Sequence, residues 1–593
     1  MNHQLTTAPG LPFIPDHAPF TPSQRAWLNG FLAGMFSGAQ QAAAPAPAKV
    51  RVNVLFGSES GNSESLSKKL AKTLTGKGYE SKAMSLDKFT AAALAKESFA
   101  LIVTSTFGDG EPPASAKKFH ADLHNPAHPR LENLSYAILA LGDTNYEKFC
   151  QCGKDLDARL EALGAKRLYE RVDCNVDYDA PAGTWQEGVF AVLETAAKSA
   201  PTALNGHSPE LAAPAETAEF EGWSRKNPFP AKLVVNRKLN GEGSAKEVRH
   251  YEISLEGSGL NYVVGDALGV MPQNCSEYVA DLLAALGFTG DELVPLSEEG
   301  EAPIREALLK EYDITKVPAT LLKAIAERST DKTLADLLVP SAREALSHYL
   351  WGREIIDLLL DYASVKFTPA EFVSHLKKLQ ARLYSISSSI NAFPGHVHLT
   401  VAAVRYDSFG RKRKGVCSTF LADRADGAVP IFIQESHSFR LPQNGDVPII
   451  MVGPGTGIAP FRAFLHDRRA TAAKGGNWLF FGDQRAATDF YYQDELQGMM
   501  ADGFLTRLST AFSRDQAEKI YVQTRMLEEA AELWKWLEQG AHFYVCGDAS
   551  RMAKDVDAAL HQVCETAGGL TPEAASAYIT KLKNDKRYQR DVY

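Results

Sequence analysis

Short apolar runs ending in glycine, serine and aspartate recur along this chain, each followed by apolar residues at helical spacing. Residues 50–56 (VRVNVLF) run into Gly57-Ser58-Glu59-Ser60-Gly61-Asn62-Ser63, after which Leu66, Leu70 and Leu74 share a helical face. Residues 99–105 (FALIVTS) end in TFGDGEPP, and residues 136–141 (YAILAL) end in GDTNY. Continuous apolar runs with helical connections predict parallel strands covered on both faces. The texture then changes. Residues 232–239 and 248–255 read as strands, and helical patterning dominates 276–378, notably 277–286 and 341–362. Strands return at Ala381 and continue through 397–404 and 429–434, which predicts a β-barrel interrupted by a helical insertion. Residues 447–452 (VPIIMV), a run around 505–511 and residues 544–548 predict further strands, with a helix over 552–560.

With 593 residues the chain has room for about four domains. Two Ala/Pro-rich stretches, 40–48 and 199–219, read as linkers. The expected division is an N-terminal segment (1–49), a first α/β domain (50–198), a linker (199–225), the barrel with its insertion (226–446) and a last α/β domain (447–593). Before the first linker, Thr21-Pro22-Ser23-Gln24 followed by RAWLNGFLAGMF predicts a capped helix. It suits docking on its own chain and oligomerisation equally. A net charge of −9 excludes the electrostatic footprint of a protein that wraps nucleic acid. Seven scattered cysteines without a CxxC argue against a disulfide scaffold, a zinc knuckle or a four-cysteine cluster, so no metal site is expected. The apolar run 26–36 is too short to span a bilayer and does not read as a signal peptide. A cytoplasmic chain without a membrane segment is expected.

The chemistry lies in the loops. Strand, Gly/Ser loop and helix aim backbone N–H groups at an anion. The loop 57–63 fails GxxxxGK[ST] and has no lysine, but hydroxyls from Ser58, Ser60 and Ser63 suit one phosphate monoester. A merely capped helix is the alternative. Loops 106–113 and 142–146, each with glycine and an aromatic, can wall a flat slot beside it. Arg382 and Tyr384 share a strand face next to Ser385, and Gly415-Val416-Cys417-Ser418 opens a helix, a second backbone cradle. The basic run 411–414 is expected to be an exposed hairpin turn. GPGTGIAPFR (453–462) departs from GxGxxG, with Ile458 at the third glycine, yet keeps glycines where backbone meets a pyrophosphate. Ser513, Arg514, Lys519, Tyr521 and Gln523 gather cations and hydroxyls suited to a 2′-phosphate.

Residues 58–63, 105–110 and 141–150 resemble the FMN-binding loops of flavodoxin-like domains in diflavin reductases. The resemblance implies FMN contacts from Ser58, Glu59, Ser60, Gly61, Asn62, Ser63, Ser105, Thr106, Phe107, Gly108, Leu141, Gly142, Asp143, Asn145, Tyr146 and Cys150, with Phe107 and Tyr146 flanking the ring. Glu59-Ser60 stands where the family often has Gln-Thr, so Glu59 is expected to point to solvent. RLYS with the Gly415 helix start resembles the FAD domain of the ferredoxin–NADP reductase superfamily, and GPGTGIAPFR its NADP domain. This implies cofactor contacts from Thr315, Arg382, Leu383, Tyr384, Ser385, Thr400, Val401, Ala402, Tyr406, Gly415, Val416, Cys417 and Ser418. On the NADP side it implies Gly455, Thr456, Ser513, Arg514, Lys519, Tyr521, Gln523 and Asp555. It further implies a catalytic group of Ser385, Cys546 and Asp591 around the nicotinamide and flavin, with Tyr593 stacked on FAD. Cys546 as a plain core cysteine stays open.

From TPSQRAWLNGF to KRYQRDVY the chain is most similar to flavoprotein α subunits of NADPH–sulfite reductase. The implied route is NADPH to FAD to FMN to a haemoprotein β subunit with sirohaem and an iron–sulfur cluster, which reduces sulfite to sulfide for cysteine biosynthesis. A homo-oligomer assembled through the N-terminal region is also implied. Asp109, Glu111, Asp143 and Glu147 are expected to form an acidic rim for the acceptor. A reductase serving another soluble haemoprotein and a binding module with vestigial cofactor sites remain the alternatives.

Overall fold

The structure, a computed structural model, describes residue 14 and residues 18–37, 50–59, 61–107, 110–144, 148–175, 178–199, 222–296, 300–436 and 438–593. The helix Pro22–Ser37 starts as expected: Gln24 N donates to Thr21 Oγ1 (3.4 Å) and Thr21 N to Gln24 Oε1 (3.0 Å).

Parallel strands β1 (Arg51–Gly57), β2 (Glu80–Ser85), β3 (Phe99–Ser105) and β4 (Ser135–Leu141) follow the order β2-β1-β3-β4. The fifth position is split: β5 (Lys166–Arg167) pairs with the start of β4 and β6 (Val172–Cys174) with its end. Why the runs are continuously apolar is visible in the packing. Val52, Val54, Leu101, Val103 and Leu139 enter one core with Trp185, while Leu55, Ile102, Tyr136 and Ile138 enter another on the opposite face. Because the order reverses between β1 and β3, the loops leaving β1, β3 and β4 lie side by side at one edge.

Six antiparallel strands follow: β7 (Phe229–Lys238), β8 (Val248–Ser254), β9 (Ala267–Val270), β10 (Arg382–Ser385), β11 (His396–Ala402) and β12 (Ala428–Gln434). Their order is β10-β9-β12-β7-β8-β11. The expected barrel is not closed by a ladder. The two ends of this path meet at one isolated bridge, Ile386 with Leu399, beside a bond from Ser387 N to His398 O (2.8 Å). Between β9 and β10 the chain builds a helical body with a core of its own, from Val279 and Leu282 through Ile325 and Leu358 to Phe372. Tyr312–Asp313 and Lys377–Lys378 pair antiparallel across it.

Two expectations change here. The helix expected over 341–362 is two, Arg343–Leu350 and Ile355–Asp361, separated at Gly352, whose φ of 74° no helix contains. The basic run is no exposed turn. Arg411–Lys414 is a strand paired with Arg405–Ser408, and its turn is Phe409-Gly410. Arg413 is buried and reaches Glu354 (3.1 Å) and Asp357 (2.5 Å) on the helical body, while Lys414 meets Glu277 (3.0 Å) and Arg411 meets Asp281. A hydrophobicity pattern cannot see this, because the acids that neutralise the run arrive from the insertion.

The last sheet is parallel: β13 (Ile449–Val452), β14 (Asn477–Asp483), β15 (Arg507–Phe512), β16 (His542–Gly547) and β17 (Tyr588–Val592), ordered β15-β14-β13-β16-β17. Its switch point falls between β13 and β16, where the GPGTG turn emerges.

Candidate functional site

The loop after β1 is preshaped for an anion. Ser58 Oγ accepts from Gly61 N (2.9 Å), and Gly61 takes φ 85° immediately before the helix Asn62–Gly76. Ser63 Oγ, in the first turn, is buried and has no hydrogen-bond partner. A buried hydroxyl without a partner is costly, and a phosphate oxygen at this helix start would satisfy it. Thr106 N donates to Leu141 O (3.0 Å) and Thr106 Oγ1 accepts from Cys152 N (3.2 Å), which ties the second loop to the third. Phe107 closes its own loop by exchanging two 2.8 Å backbone bonds with Glu111. Ser105 Oγ accepts from Glu59 N (3.4 Å), and Gly142 N donates to Cys174 O (2.9 Å). Leu141 and Cys150 are core side chains, the Cys150 thiol donating to Ala140 O (3.5 Å), so they offer a ligand main chain only. Burial pushes that thiol up to about 12. Ser60, Gly108, Asp109, Asn145, Tyr146 and Glu147 lie outside the described residues. Of the expected acidic rim, Glu111 is paired with Lys117 at 3.2 Å.

Glu59 does not face solvent. Its carboxylate accepts from Ala114 N (2.9 Å) through Oε2 and from Gln434 Nε2 through Oε1. Gln434 ends β12, so a residue of the first sheet's loop is held by the antiparallel sheet. Sequence reading also missed Arg225. It is the last residue of the expected linker 199–225, and its Nη1 donates to Glu59 O (3.1 Å).

Ser385, Cys546 and Asp591, widely separated in sequence, come together. Ser385 Oγ donates to Asp591 Oδ2 at 2.5 Å, and Cys546 Sγ lies 3.9 Å from the same oxygen. Cys546 and Asp591 are register partners on β16 and β17, whereas Ser385 ends β10 of the other sheet. Burial raises the Asp591 carboxyl above its ordinary value, and bonds from Ser385 and Cys546 pull it back. Burial, then the Asp591 charge, drives the Cys546 thiol well up, so it is a neutral thiol. Gly457 makes this approach possible, because a Cβ there would lie 2.1 Å from Cys546 O.

Beside this group opens a cavity of about 880 Å³, lined by Lys246, Ala402, Tyr406, Gly455, Thr456, Asp483 and Tyr593 among others. The exposed Tyr593 is tethered across it by Thr456 Oγ1 (2.8 Å to the phenol) and by Tyr593 N to Gly547 O (3.0 Å). Lys246 Nζ pairs with Asp483 Oδ1 (2.5 Å), leaving Asp483 Oδ2 buried without a partner. Glycine backbone, hydroxyls and these polar atoms fit a dinucleotide. Arg382 and Leu383 are exposed on β10. Tyr384 packs beside Cys417, its phenol raised by burial first. Thr400 and Val401 are buried, Thr400 Oγ1 held by Tyr492 (2.6 Å). Gly415 and Val416 start the helix Val416–Asp423, where Ser418 Oγ accepts from Val404 N (3.1 Å). Thr315 sits in the helical body, its hydroxyl on Asp313 (2.8 Å).

After β15, Ser513 N and Arg514 N are pinned to Asp483 O (2.9 Å) and Gln484 O (2.8 Å). The side chains of Arg514 and Lys519 have no ion-pair partner among the described residues, and Tyr521 is exposed nearby in sequence. Gln523 Nε2 donates to Asp555 Oδ2 (3.3 Å), so these two meet. Arg485, unforeseen, reaches Arg514 O (3.1 Å) and adds a cation.

The two sheets are locked by Arg462, the last residue of GPGTGIAPFR. Its buried guanidinium donates to Glu495 (2.9 and 3.2 Å), to Ser387 O (2.8 Å) and to His398 Nδ1 (3.3 Å). His250, Glu252 and His398 converge within 4.8 Å, in the manner of metal ligands. Arg462 donates to His398 Nδ1, so that imidazole carries its proton on Nε2, facing Glu252, and offers no lone pair there. Burial, then Arg462, holds both histidines down to about 3.

Comparison with known proteins accords with this geometry. Residues 54–187 match the flavodoxin family model, residues 222–420 the FAD binding domain and residues 451–558 the oxidoreductase NAD-binding domain. The chain is 46% identical to the sulfite reductase [NADPH] flavoprotein alpha-component of Bacillus subtilis (strain 168), over 97% of this chain and 96% of that one. It is 43% identical to the protein of that name from Mannheimia succiniciproducens, over 97% of each chain. A third, from Escherichia coli O139:H28, is 42% identical over 97% of this chain and 95% of its own.

The Arg462 lock has a pH signature. Burial pushes the Glu495 carboxyl up, but bonds from His466 (2.9 Å) and Arg462 outweigh it and bring it to about 2. A carboxyl depressed on folding stabilises above its unfolded value and loses that contribution as pH falls toward 2. Glu495→Gln is therefore expected to cost about 3 kcal/mol at pH 7, as when one partner of a buried pair is removed. Thermal midpoints should show the gap to the parent narrowing as pH drops below about 4.5. A pH-independent gap would reject the ion pair as its source.

Proposed function

We propose a function from one premise: the chain belongs to the sulfite reductase [NADPH] flavoprotein alpha-component family. It is an NADPH-dependent oxidoreductase component that carries FMN and FAD, and electrons pass from NADPH to FAD to FMN. The acceptor we propose is the sirohaem and iron–sulfur haemoprotein β subunit, which would reduce sulfite to sulfide. The observation that carries this reading is the meeting of Ser385 with Cys546 and Asp591, where the FAD-binding sheet touches the NADP-binding sheet.

When bound, the cofactors supply hydride transfer and one-electron release, chemistry that side chains lack. The chain's own residues hold and orient. Ser385 Oγ keeps its proton on Asp591 Oδ2, which fixes the carboxylate, while burial keeps the Cys546 thiol neutral beside it. A neutral thiol and a pinned hydroxyl can border a nicotinamide without trapping it covalently. Tyr593, tethered to Thr456, is the proposed cover of the FAD ring. Gly455 and Thr456 offer backbone and hydroxyl to a pyrophosphate at the switch point. Arg514 and Lys519, with Tyr521 and Ser513, are the proposed readers of the 2′-phosphate. Ser58, Ser63 and the Gly61 turn are the proposed FMN phosphate seat, with Phe107 and Tyr146 beside the ring.

A homo-oligomer and a cytoplasmic location belong to the same proposal. Trp27, on the N-terminal helix, is 68% exposed, an apolar surface that a second copy would cover. All seven cysteines are free, as in a reducing compartment, and no helix among the described residues is long and apolar enough to cross a membrane.

Mixing the purified chain with a sirohaem β subunit is expected to give sulfite-dependent NADPH oxidation. Its absence, with dye reduction intact, would hand the function to another haemoprotein acceptor. Arg514→Ala should weaken NADPH binding at least about tenfold while NADH binding barely moves; equal loss of both would reject the 2′-phosphate role. Removing residues 1–48 should leave NADPH-to-dye transfer unchanged and lower the sedimentation coefficient. An unaltered oligomer would sink the role given to the N-terminal helix.

A further inference from the structure

The phosphate loop after β1 is met by a cation from outside its own sheet. Arg225 sits on a turn closed by reciprocal bonds between Ser224 and Asn227 (2.9 and 3.1 Å). That turn is anchored to the antiparallel unit: Trp223 Nε1 donates to Ser258 O (2.8 Å), and the Trp223 ring packs edge-on against Phe229 (5.1 Å). From this fixed base Arg225 Nη1 reaches Glu59 O (3.1 Å) and Nη2 reaches Gln380 Oε1. The guanidinium carbon lies 3.6 Å from where a Cβ on Gly61 would stand, directly over the anion-shaped turn. Each of Nη1 and Nη2 spends one N–H in these bonds, so Nε and the second N–H of each remain for an oxyanion.

The contact is answered from the other side. The Glu59 carboxylate is turned from the turn's interior toward Ala114 N and Gln434. Lys226 meets Glu64 on the helix that the loop opens (3.3 Å), and Lys377 meets Asp179 (2.6 Å) with its ammonium 5.0 Å from the Tyr178 ring. A guanidinium placed over a helix start that also holds the unpartnered Ser63 Oγ is an incomplete ion pair.

We propose that Arg225 is a phosphate ligand of FMN, supplied by the FAD-binding unit, so that FMN binding and the docking of the two units stabilise one another. This rests on the FMN reading of the loop. Linkage makes the effect reciprocal: whatever factor docking adds to FMN affinity, FMN adds to docking. It also explains how a loop carrying Glu59 tolerates a phosphate dianion, because the added cation offsets the carboxylate.

The test uses the full-length chain with FAD retained and FMN removed, titrated with FMN and with riboflavin, which lacks the phosphate. Arg225→Ala is expected to weaken FMN binding about tenfold and leave riboflavin within about twofold, while Arg225→Lys recovers part of the loss. Small-angle scattering should show FMN compacting the parent but not Arg225→Ala, and riboflavin compacting neither. Unchanged FMN affinity overturns the proposal. So does an equal loss for FMN and riboflavin, which would make Arg225 a support of the loop's fold only, and so does equal compaction of parent and variant. If the parent binds neither flavin, the FMN reading itself falls.

Discussion

One buried guanidinium sets the geometry on which the rest depends. Arg462 leaves the GPGTG turn of the parallel sheet, holds Glu495 through Nε and Nη2, and donates to Ser387 O of the antiparallel unit. Ser387 is two residues beyond Ser385, so the bond that docks the sheets also sets the serine against Asp591. Ser389 and Asn391 add bonds to Asp467 (2.7 and 2.9 Å), and Tyr492 reaches both Thr400 and His250. A buried polar network satisfied at this many points is rigid, and removing one member exposes the others. Hydride transfer depends on reacting atoms held in a narrow range of distance, which only such a junction provides.

The junction with the first sheet is built differently. Arg225 and Gln434 meet Glu59, and two partly exposed ion pairs, Lys226 with Glu64 and Lys377 with Asp179, add to them. Exposed pairs of this kind are individually weak and screened by salt. The contrast follows the chemistry of the two transfers. A hydride needs fixed contact, whereas single electrons must leave for an acceptor that has to reach the same flavin edge. A docked arrangement held by few ionic contacts and biased by FMN suits a unit that serves two partners.

Much of this was legible in the residues alone. The β1, β3 and β4 runs announced a sheet covered on both faces, since residues of alternate parity enter different cores and all must be apolar. The GPGTGIAPFR segment announced glycines where backbone meets a pyrophosphate, and the structure adds a second reason for Gly457, whose Cβ would lie 2.1 Å from Cys546 O. Where local pattern met tertiary demand it failed. Residues 341–362 have helical periodicity, yet Gly352 turns the chain so that the second helix can bury Ile355 and Leu358. The 411–414 run reads as surface, yet Arg413 is buried because Glu354 and Asp357 come to it.

Sequence by itself determined the sheets, the order of the cofactor loops and the residue types within them, because periodicity, turn chemistry and helix starts are written over a few neighbouring positions. Resemblance to the ferredoxin–NADP reductase superfamily, and no local pattern, singled out Ser385, Cys546 and Asp591. Only the tertiary structure decided that they share one carboxylate oxygen, that Glu59 faces Gln434 and not water, and that Arg225, Arg485 and Lys246 stand at the cofactor crevices. Each of those facts joins segments with no local relation to one another. A charge's partner in such a case is chosen by how whole sheets dock, and no window along the chain contains that information.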